Sequence, residues 1–195
     1  MYANDSDDTF PTAVRNGGTT YHATWVNSNI FRYFTTTASL STNVLTCPNK
    51  NRQGLQIKTS GVGTRLGYYL LWGIPTDTMD PRPRDATYTA TDWWPWESAR
   101  KTTDSTPYTY LMADIIEKGT DNFGALTDIT HVPHSVTGER YSGSGQLVEP
   151  ATLRSDGGNV GLTDGSVNWR QQATMHWRYI LFNGSGPSSQ YTGYW

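Results

Sequence analysis

The sequence predicts an α+β protein, in which the end of an N-terminal helix packs on an antiparallel β-sheet with long loop insertions. Glycine occurs 19 times in 195 residues, and aromatic residues make up 13% of the chain. This mixture is typical of short strands joined by tight turns. Short apolar segments between glycines, such as residues 66–72, have the length of strands. The segment before Phe10-Pro11 has the character of a helix end, and the length suits a single domain over residues 1–195.

Charge and cysteine content exclude several classes of protein. The formal net charge is −2 and the sequence pI is about 6.0. Lys and Arg are scattered without a basic stripe, so we expect no nucleic-acid partner. Cys47 is the single cysteine, which rules out a disulfide within the chain. No stretch approaches the roughly 20 apolar residues of a membrane-spanning helix.

The chain opens on what the pattern predicts to be the last part of a helix, over residues 1–8. Acidic and small polar residues follow immediately, and Pro11 prevents the helix from continuing. A chain that opens on a helix end suggests a helix that begins upstream. We therefore expect the N-terminal helix to be truncated at Met1.

A long excursion over residues 74–99 is rich in proline and tryptophan. It contains Trp93, Trp94 and Trp96, which we interpret as anchors that hold the loop to the core. Exposed tryptophan faces also stack on sugar rings. A secreted carbohydrate-binding module that uses these three residues is therefore the alternative function, and the same residues are candidates for a ligand or subunit contact.

Residues 157–170 predict a β-hairpin. Gly157 and Gly158 allow a tight entry into the first strand, and the pair Asp164-Gly165 is a strong signal for a type I′ turn. In this arrangement Val160, Leu162 and Val167 face the core, while Asn159, Thr163 and Asn168 point outward. Residues 119–136 are expected to form a loop, and residues 140–145 a mobile segment.

Three further strands are expected over residues 55–57, 108–116 and 175–182, the last of these being the final strand. The tail from residue 183 ends in Tyr191, Tyr194 and Trp195, and a flexible tail rarely contains three aromatic residues. We therefore expect it to pack back onto the domain.

Three local sequences occur in an order that resembles a family of bacterial pilin-like proteins. They are MYANDSDDTFP at residues 1–11, VLTCP at residues 44–48 and GGNVGLTDGSVNWR at residues 157–170. The last is preceded by YLMAD at residues 110–114 and THVPH at residues 130–134. Members of this family begin with a prepilin cleavage and methylation segment and carry a C-terminal motif described as H-x9-DG.

The resemblance implies a structural subunit of a pseudopilus or type IV pilus-like envelope assembly, related to the general secretion pathway. It implies a pilin-like fold and a membrane-anchoring helix upstream of Met1. The implied partners are other pseudopilin subunits, the inner membrane and, for the precursor, a prepilin peptidase. The implied location is the cell envelope, at the periplasmic face of the inner membrane. No catalysis and no obligatory cofactor are expected.

The chain departs from the family motif at one position. Arg154 stands where H-x9-DG has its histidine, while Asp164-Gly165 is intact. His131 or His134 could take the place of the missing residue. The motif residues of this chain are thus Gly157, Gly158, Asn159, Asp164 and Gly165.

Two metal sites deserve a test. Asp128, His131 and His134 have a spacing that suits zinc on a helix, but Pro133 favours hydrogen-bonded loop histidines instead. Major pseudopilins hold calcium in a C-terminal loop, so the resemblance also makes calcium possible. Its candidate ligands here are Asp156, Asp164 and Asp128, which supply hard oxygen donors.

Catalytic signals are weak. Cys47 precedes Pro48, and it would act as a nucleophile only with a histidine close in space; a buried cysteine at a strand end is the favoured interpretation. A hydrolase would require such a Cys–His contact or a cleft with paired carboxylates. The expectation from the sequence is that the protein is not an enzyme.

Overall fold

The computed structural model describes residues 8–11, 21–49, 58–61, 63–73, 97–104, 109–119, 129–142, 148–179, 181–183, 186–187 and 191–195. Several predictions lie outside these residues. They are residues 1–7 of the helix end expected over residues 1–8, a strand over residues 55–57 and nearly all of the 74–99 excursion, with Trp93, Trp94 and Trp96. The candidate ligand Asp128 also lies outside them. Asp8, the last residue of that expected helix end, is described and is a turn residue with a φ of 59°.

The described residues contain sixteen short strands and one α-helix. The strands are β1 (Tyr21–His22), β2 (Trp25–Val26), β3 (Lys58–Ser60), β4 (Gly63–Arg65), β5 (Tyr68–Leu70), β6 (Glu97–Ser98), β7 (Thr109–Asp114), β8 (Glu117–Gly119), β9 (Ile129–Val132), β10 (Arg140–Ser142), β11 (Gly157–Leu162), β12 (Val167–Gln171), β13 (Trp177–Tyr179), β14 (Leu181–Asn183), β15 (Gly186–Pro187) and β16 (Tyr191–Tyr194). The architecture is mixed α/β, compatible with the predicted α+β class.

The strands form four sheets where the sequence predicted one. The sheet that carries the DG hairpin has the order β12-β11-β7-β5, and β6 joins β7 in parallel. A second five-stranded sheet has the order β10-β9-β8-β16-β13. Two three-stranded sheets, β1-β14-β15 and β2-β4-β3, complete the described part. Apart from the β6–β7 pair, neighbouring strands are antiparallel.

The two larger sheets are joined by a direct continuation of one strand. β7 ends at Asp114 and β8 begins at Glu117, with Ile115 and Ile116 between them. Both isoleucines are fully buried. Because this junction sits in the core, Asp114 is held at the end of β7, close to both sheets.

The α-helix, α1, spans Ser28–Arg32. Asn27 caps its N-terminus, since its Oδ1 accepts a hydrogen bond from the Ile30 backbone N–H at 3.0 Å. A π-helical turn, Tyr33–Thr37, follows directly. A 3₁₀-helix at Thr42–Leu45 then leads to Cys47. In the described ranges no helix has both the length and the apolar character needed to cross a membrane.

Two apolar clusters are present in the part of the chain that the structure describes. The first unites α1 with the β2–β4 and β5 regions, through Val26, Ile30, Leu45, Leu66 and Leu70. The second lies against the β10-β9-β8-β16-β13 sheet and contains Ile116, Val132, Met175 and Tyr194. The aromatic C-terminal segment packs back onto the protein, as its composition predicts, and Trp195 is fully buried against Tyr69.

β11 and β12 pair antiparallel, with Gly157 opposite Gln171 and Gly161 opposite Val167. Their turn differs from the predicted type I′, which requires a positive φ at both Asp164 and Gly165. Only Gly165 of the two has one, at 84°. The Gly165 N–H donates to the Leu162 carbonyl at 3.1 Å, and the Leu162 N–H donates to the Ser166 carbonyl at 2.9 Å. The result is a three-residue loop with glycine in the left-handed region.

Four further expectations are wrong. Val167 is exposed rather than in the core, because β12 is the outer strand of the hairpin. The expected loop over residues 119–136 contains β9, and the expected mobile segment over residues 140–145 contains β10, which pairs with it. The single last strand expected over residues 175–182 is divided into β13 and β14, and β16 follows later. β9 and β10 form a local hairpin despite their polar composition, whereas β14 pairs with the distant β1, a pairing of which local composition carries no signal.

Candidate functional site

Cys47 is placed by a close approach between two backbones. After the 3₁₀-helix at Thr42–Leu45, Thr46 pairs in parallel with Gly67, and the Gly67 N–H donates to the Leu45 carbonyl at 2.8 Å. A Cβ at position 67 would lie 2.4 Å from the Thr46 Cα and 2.9 Å from the Cys47 nitrogen. Only glycine fits there without a shift of backbone, so Gly67 fixes the depth of Cys47, which is buried.

His134 follows β9 after the buried Pro133. The next residue, Ser135, forms an antiparallel bridge with Ser155, and the His134 carbonyl accepts a hydrogen bond from the Asp156 N–H at 2.9 Å. Backbone pairing on both sides therefore holds His134 beside the segment that leads into the DG hairpin. Its ring meets the edge of Trp169, with ring centroids 5.4 Å apart.

Asp114 ends β7 and is buried. Its Oδ2 accepts hydrogen bonds from the Asn159 backbone N–H at 2.7 Å and from Asn159 Nδ2 at 2.9 Å. A Cβ at position 158 would lie 3.1 Å from the Asp114 Cβ, so the missing side chain of Gly158 gives the carboxylate its room. Two of the motif residues thus position an acidic side chain from another strand.

Asp114 and Cys47 both approach the same ring nitrogen of His134. His134 Nε2 lies 2.9 Å from Asp114 Oδ2 and 3.6 Å from Cys47 Sγ. The three donor atoms all lie within 4.8 Å of one another. On the other side of the ring, the Asn49 side-chain amide lies 2.9 Å from His134 Nδ1. The sulfur, nitrogen and oxygen donors come from segments that are far apart in the chain.

The charges at the site shift two protonation equilibria. Hydrogen bonds to the Asp114 carboxylate and to Cys47 raise the pKa of His134 to about 10, although burial acts in the opposite direction. Burial raises the pKa of Tyr68 to about 12, and the nearby Cys47 and Asp114 add to the effect. The cluster therefore favours a positive charge at the imidazole, and Tyr68 remains a neutral phenol.

A cavity of about 560 Å³ opens beside the cluster. Cys47, Asp114 and His134 all line its wall, and so do Tyr68 and Asn159. Apolar residues of β7 and the hairpin turn complete it. Its size lies in the range of small-molecule pockets, and its lining combines apolar side chains with a few polar ones.

The structure separates the residues that the sequence grouped as metal ligands. His131 is buried and bonds Glu139 Oε1 through Nε2 at 2.6 Å, whereas His134 joins Cys47 and Asp114. Asp156 and Asp164 are exposed. Hydrogen bonds from Ser166 lower the pKa of Asp164. Among the described residues, the three-membered group of metal-binding side chains is Cys47, Asp114 and His134, and neither calcium candidate belongs to it.

The motif residues have distinct positions. Gly157 has a φ of 140°, and a Cβ there would lie 1.9 Å from the Arg170 carbonyl oxygen. Gly165 provides the left-handed residue of the turn, beside the cavity. Arg154 is exposed and forms the left-handed cap of a 3₁₀-helix, Pro150–Leu153. Of the two histidines considered in its place, His134 is the one whose side chain reaches the cavity.

Sequence reasoning singled out Cys47 and His134 separately and missed Asp114 and Asn49. Cys47 is buried, as expected, and it also makes the histidine contact that a thiol hydrolase would require. Asp114 ends the YLMAD segment and had been considered only as part of a motif. A buried strand that ends in an acidic residue is a usable signal, since such a carboxylate needs a partner.

Comparison with known proteins finds no match among family models, curated proteins or solved structures.

Proposed function

We propose that the chain is the globular head of a pilin-like structural subunit in a pseudopilus or type IV pilus-like assembly of the cell envelope. The order of the three sequence motifs supports this role. In it, an upstream apolar helix anchors the subunit in the inner membrane and bundles with its neighbours. A prepilin peptidase processes the precursor. The head makes contacts between subunits, and this role requires no catalysis.

The observation that carries the proposal is the position of the DG hairpin at the edge of a sheet. In the described part of the chain, β12 pairs with β11 and has no strand on its other side. It exposes 66% of Val167 and 49% of Trp169. An edge strand with apolar side chains is suited to pairing with another chain. A neighbouring subunit is the partner that a filament supplies.

The first test is the sequence of the gene upstream of the Met1 codon. We expect a short basic leader, a cleavage site of the Gly-Phe type, a glutamate soon after it and about 20 apolar residues. A conventional signal peptide, or a native start at Met1, would contradict the membrane-anchored subunit. In that case, sugar binding through Trp93, Trp94 and Trp96 becomes the function to test.

The second test probes the contact itself. Val167→Cys places a thiol on β12, whereas Val136→Cys places one on a turn where Val136 is 77% exposed. In cells that express the whole gene, a bifunctional thiol reagent should link Val167→Cys subunits into dimers. It should link Val136→Cys subunits much less. Because the single native cysteine, Cys47, is buried, crosslinking of the wild-type protein gives the background. Equal crosslinking of both variants would remove β12 from the subunit contact.

A further inference from the structure

We propose that Cys47, Asp114 and His134 form a binding site for one zinc-class divalent metal ion, with a fourth coordination position open to the adjoining cavity. The proposal is independent of the structural-subunit role, because it depends only on the side chains at the cavity. Three protein ligands and one open position form the arrangement that zinc adopts where it also binds water or a small ligand.

The spacing of the donor atoms suits a tetrahedral ion. Zinc–sulfur and zinc–nitrogen bonds of about 2.3 and 2.0 Å place the two ligand atoms roughly 3.5 Å apart. Cys47 Sγ and His134 Nε2 are 3.6 Å apart. His134 Nε2 and Asp114 Oδ2, at 2.9 Å, need to separate by about half an ångström. All three ligand atoms lie within 4.8 Å of one another, so side-chain movements without a change of fold can bring them to one ion.

The donor set selects the kind of ion. A thiolate and an imidazole favour zinc and its neighbours among the transition metals over calcium or magnesium, which prefer oxygen ligands. Sulfur, nitrogen and oxygen donors occur together at this site, whereas Asp156 and Asp164 offer oxygen alone. The described residues thus direct a metal ion to the cavity wall rather than to the DG turn.

A supporting shell is already in place. A metal ion bound to Nε2 leaves the ring proton of His134 on Nδ1. The Asn49 side-chain amide lies 2.9 Å from Nδ1, and its oxygen accepts this N–H when it faces the ring. The oxygen and nitrogen of an amide are assigned from such networks, so this orientation is equally compatible with the structure. Asn159 holds Asp114 Oδ2 with two hydrogen bonds. Bonds of this kind orient metal ligands.

The same geometry is less suited to a thiol nucleophile. In a catalytic relay, the histidine faces the nucleophile with one nitrogen and its orienting group with the other. Asn49 faces Nδ1 as an orienting amide would, but Asp114 occupies the nitrogen that faces the thiol. Its Oδ2 lies 2.9 Å from Nε2, closer than Cys47 Sγ at 3.6 Å, so the carboxylate competes with the thiol for that nitrogen. Pro48 also removes the backbone N–H directly after Cys47, which would otherwise be available to stabilise an oxyanion. The donor atoms of Cys47, Asp114 and His134 instead face one another, as ligands do around a metal ion.

The test uses the protein after chelator treatment, titrated with Zn²⁺ by calorimetry and with Co²⁺ by absorption spectroscopy. We expect one ion per chain. Co²⁺ should give a thiolate-to-cobalt charge-transfer band that disappears in Cys47→Ser. Asp114→Asn and His134→Gln should each weaken Zn²⁺ binding at least tenfold. Asn49→Ala, an exposed position that should leave folding intact, should weaken it about 10- to 100-fold. The matched control Asp156→Asn should bind as the wild type does.

Absence of Zn²⁺ binding by the folded wild-type protein would overturn the proposal. So would binding that is unchanged in both Cys47→Ser and Asn49→Ala. Rapid alkylation of Cys47 by iodoacetamide in a protein that binds no Zn²⁺ would identify a reactive thiol instead. Circular dichroism of each chelator-treated variant separates loss of a ligand from loss of the fold.

Discussion

One oxygen of the Asp114 carboxylate accepts both the backbone N–H and the side-chain N–H of Asn159, at 2.7 and 2.9 Å. The pair connects the last residue of β7 to the DG hairpin, and it leaves the same oxygen 2.9 Å from His134 Nε2. A motif asparagine that faces outward from its own strand thus aligns an acidic side chain on a neighbouring one.

Asn159→Ala should destabilise the metal-free protein by about 1–2 kcal/mol. Hydrogen bonds to charged groups contribute about 1.5–3 kcal/mol. Because Asn159 is exposed, we expect its side-chain bond to Asp114 to lie near the lower end of that range. Urea denaturation measures the change. Asn168→Ala, at an exposed position on β12, is the control and should alter the free energy of unfolding by less than about 0.5 kcal/mol. Equal losses in the two variants would mean that the Asp114 contact contributes nothing specific.

Glu117→Gln should destabilise the protein by about 3–5 kcal/mol, because it removes the negative charge of an ion pair with Arg65 in the core. The Arg65 Nη2 lies 2.8 Å from Glu117 Oε1, and each side chain is 4% exposed. Thermal or chemical denaturation checks the value. Glu149→Gln, which breaks the more exposed pair with Lys118, should cost no more than about 1 kcal/mol.

A double variant decides how the buried pair acts. Arg65→Met combined with Glu117→Leu removes both charges, and we expect it to be more stable than Glu117→Gln alone, since no uncompensated charge remains. A double variant as unstable as the single one would show that the pair is required for packing rather than for charge balance.

Part of this architecture could be predicted from sequence. The DG hairpin, the strand that ends at Asp114 and the packed aromatic tail follow from apolar patterning and turn residues. The turn type did not, because Asp-Gly also suits a three-residue loop with glycine last. The division into four sheets could not be predicted either, since it depends on pairings between distant strands such as β8 and β16.

The site was harder to foresee than the fold. Cys47, Asp114 and His134 lie in separate segments, and the β7–β8 junction, the Thr46–Gly67 bridge and the Ser135–Ser155 bridge bring them together. Local spacing suggested Asp128 and His131 as partners of His134. In the structure, strand β9 directs His131 to Glu139. His134 lies beyond the end of β9, where a hydrogen bond from the Asp156 N–H and the Ser135–Ser155 bridge set its position instead.

Trp195→Ala should lower the free energy of unfolding by about 3–5 kcal/mol, the usual cost of replacing a large buried aromatic residue by alanine. Trp195 is fully buried, and its ring centroid lies 5.3 Å from that of Tyr69. Urea denaturation monitored by circular dichroism measures the loss. Trp169→Ala, where the ring is 49% exposed, should cost clearly less. A Trp195→Ala loss no larger than that of Trp169→Ala would mean that the tail contributes little to the core.

Glu149 should make stability depend on pH in the acidic range. Burial tends to raise its pKa, but hydrogen bonds from Lys118 and Tyr194 outweigh it and lower the pKa below the ordinary value of 4.5. Because the folded state favours the charged form, the contribution is present above that value and is lost as pH falls through the lowered pKa. The stability difference between wild type and Glu149→Gln should therefore shrink on acidification.

The lowered pKa of Glu149 can also be measured directly. Tyr194→Phe removes the hydroxyl that lies 2.8 Å from Glu149 Oε2, and it should raise the pKa of Glu149 toward its ordinary value. Carboxyl chemical shifts followed through an NMR titration measure this pKa. An unchanged pKa would assign the shift to Lys118 alone.

The contact between Gly67 and the backbone of Thr46 and Cys47 has a consequence for how variants of this protein should be read. Any side chain at position 67 pushes the cysteine segment outward, although residue 67 touches neither His134 nor Asp114 in the contacts described. A mutational screen scored on metal binding would therefore report position 67 as essential, and a search confined to ligand-contacting residues would overlook it. Inherited variation at this glycine would therefore impair the site without changing any residue that lines the cavity.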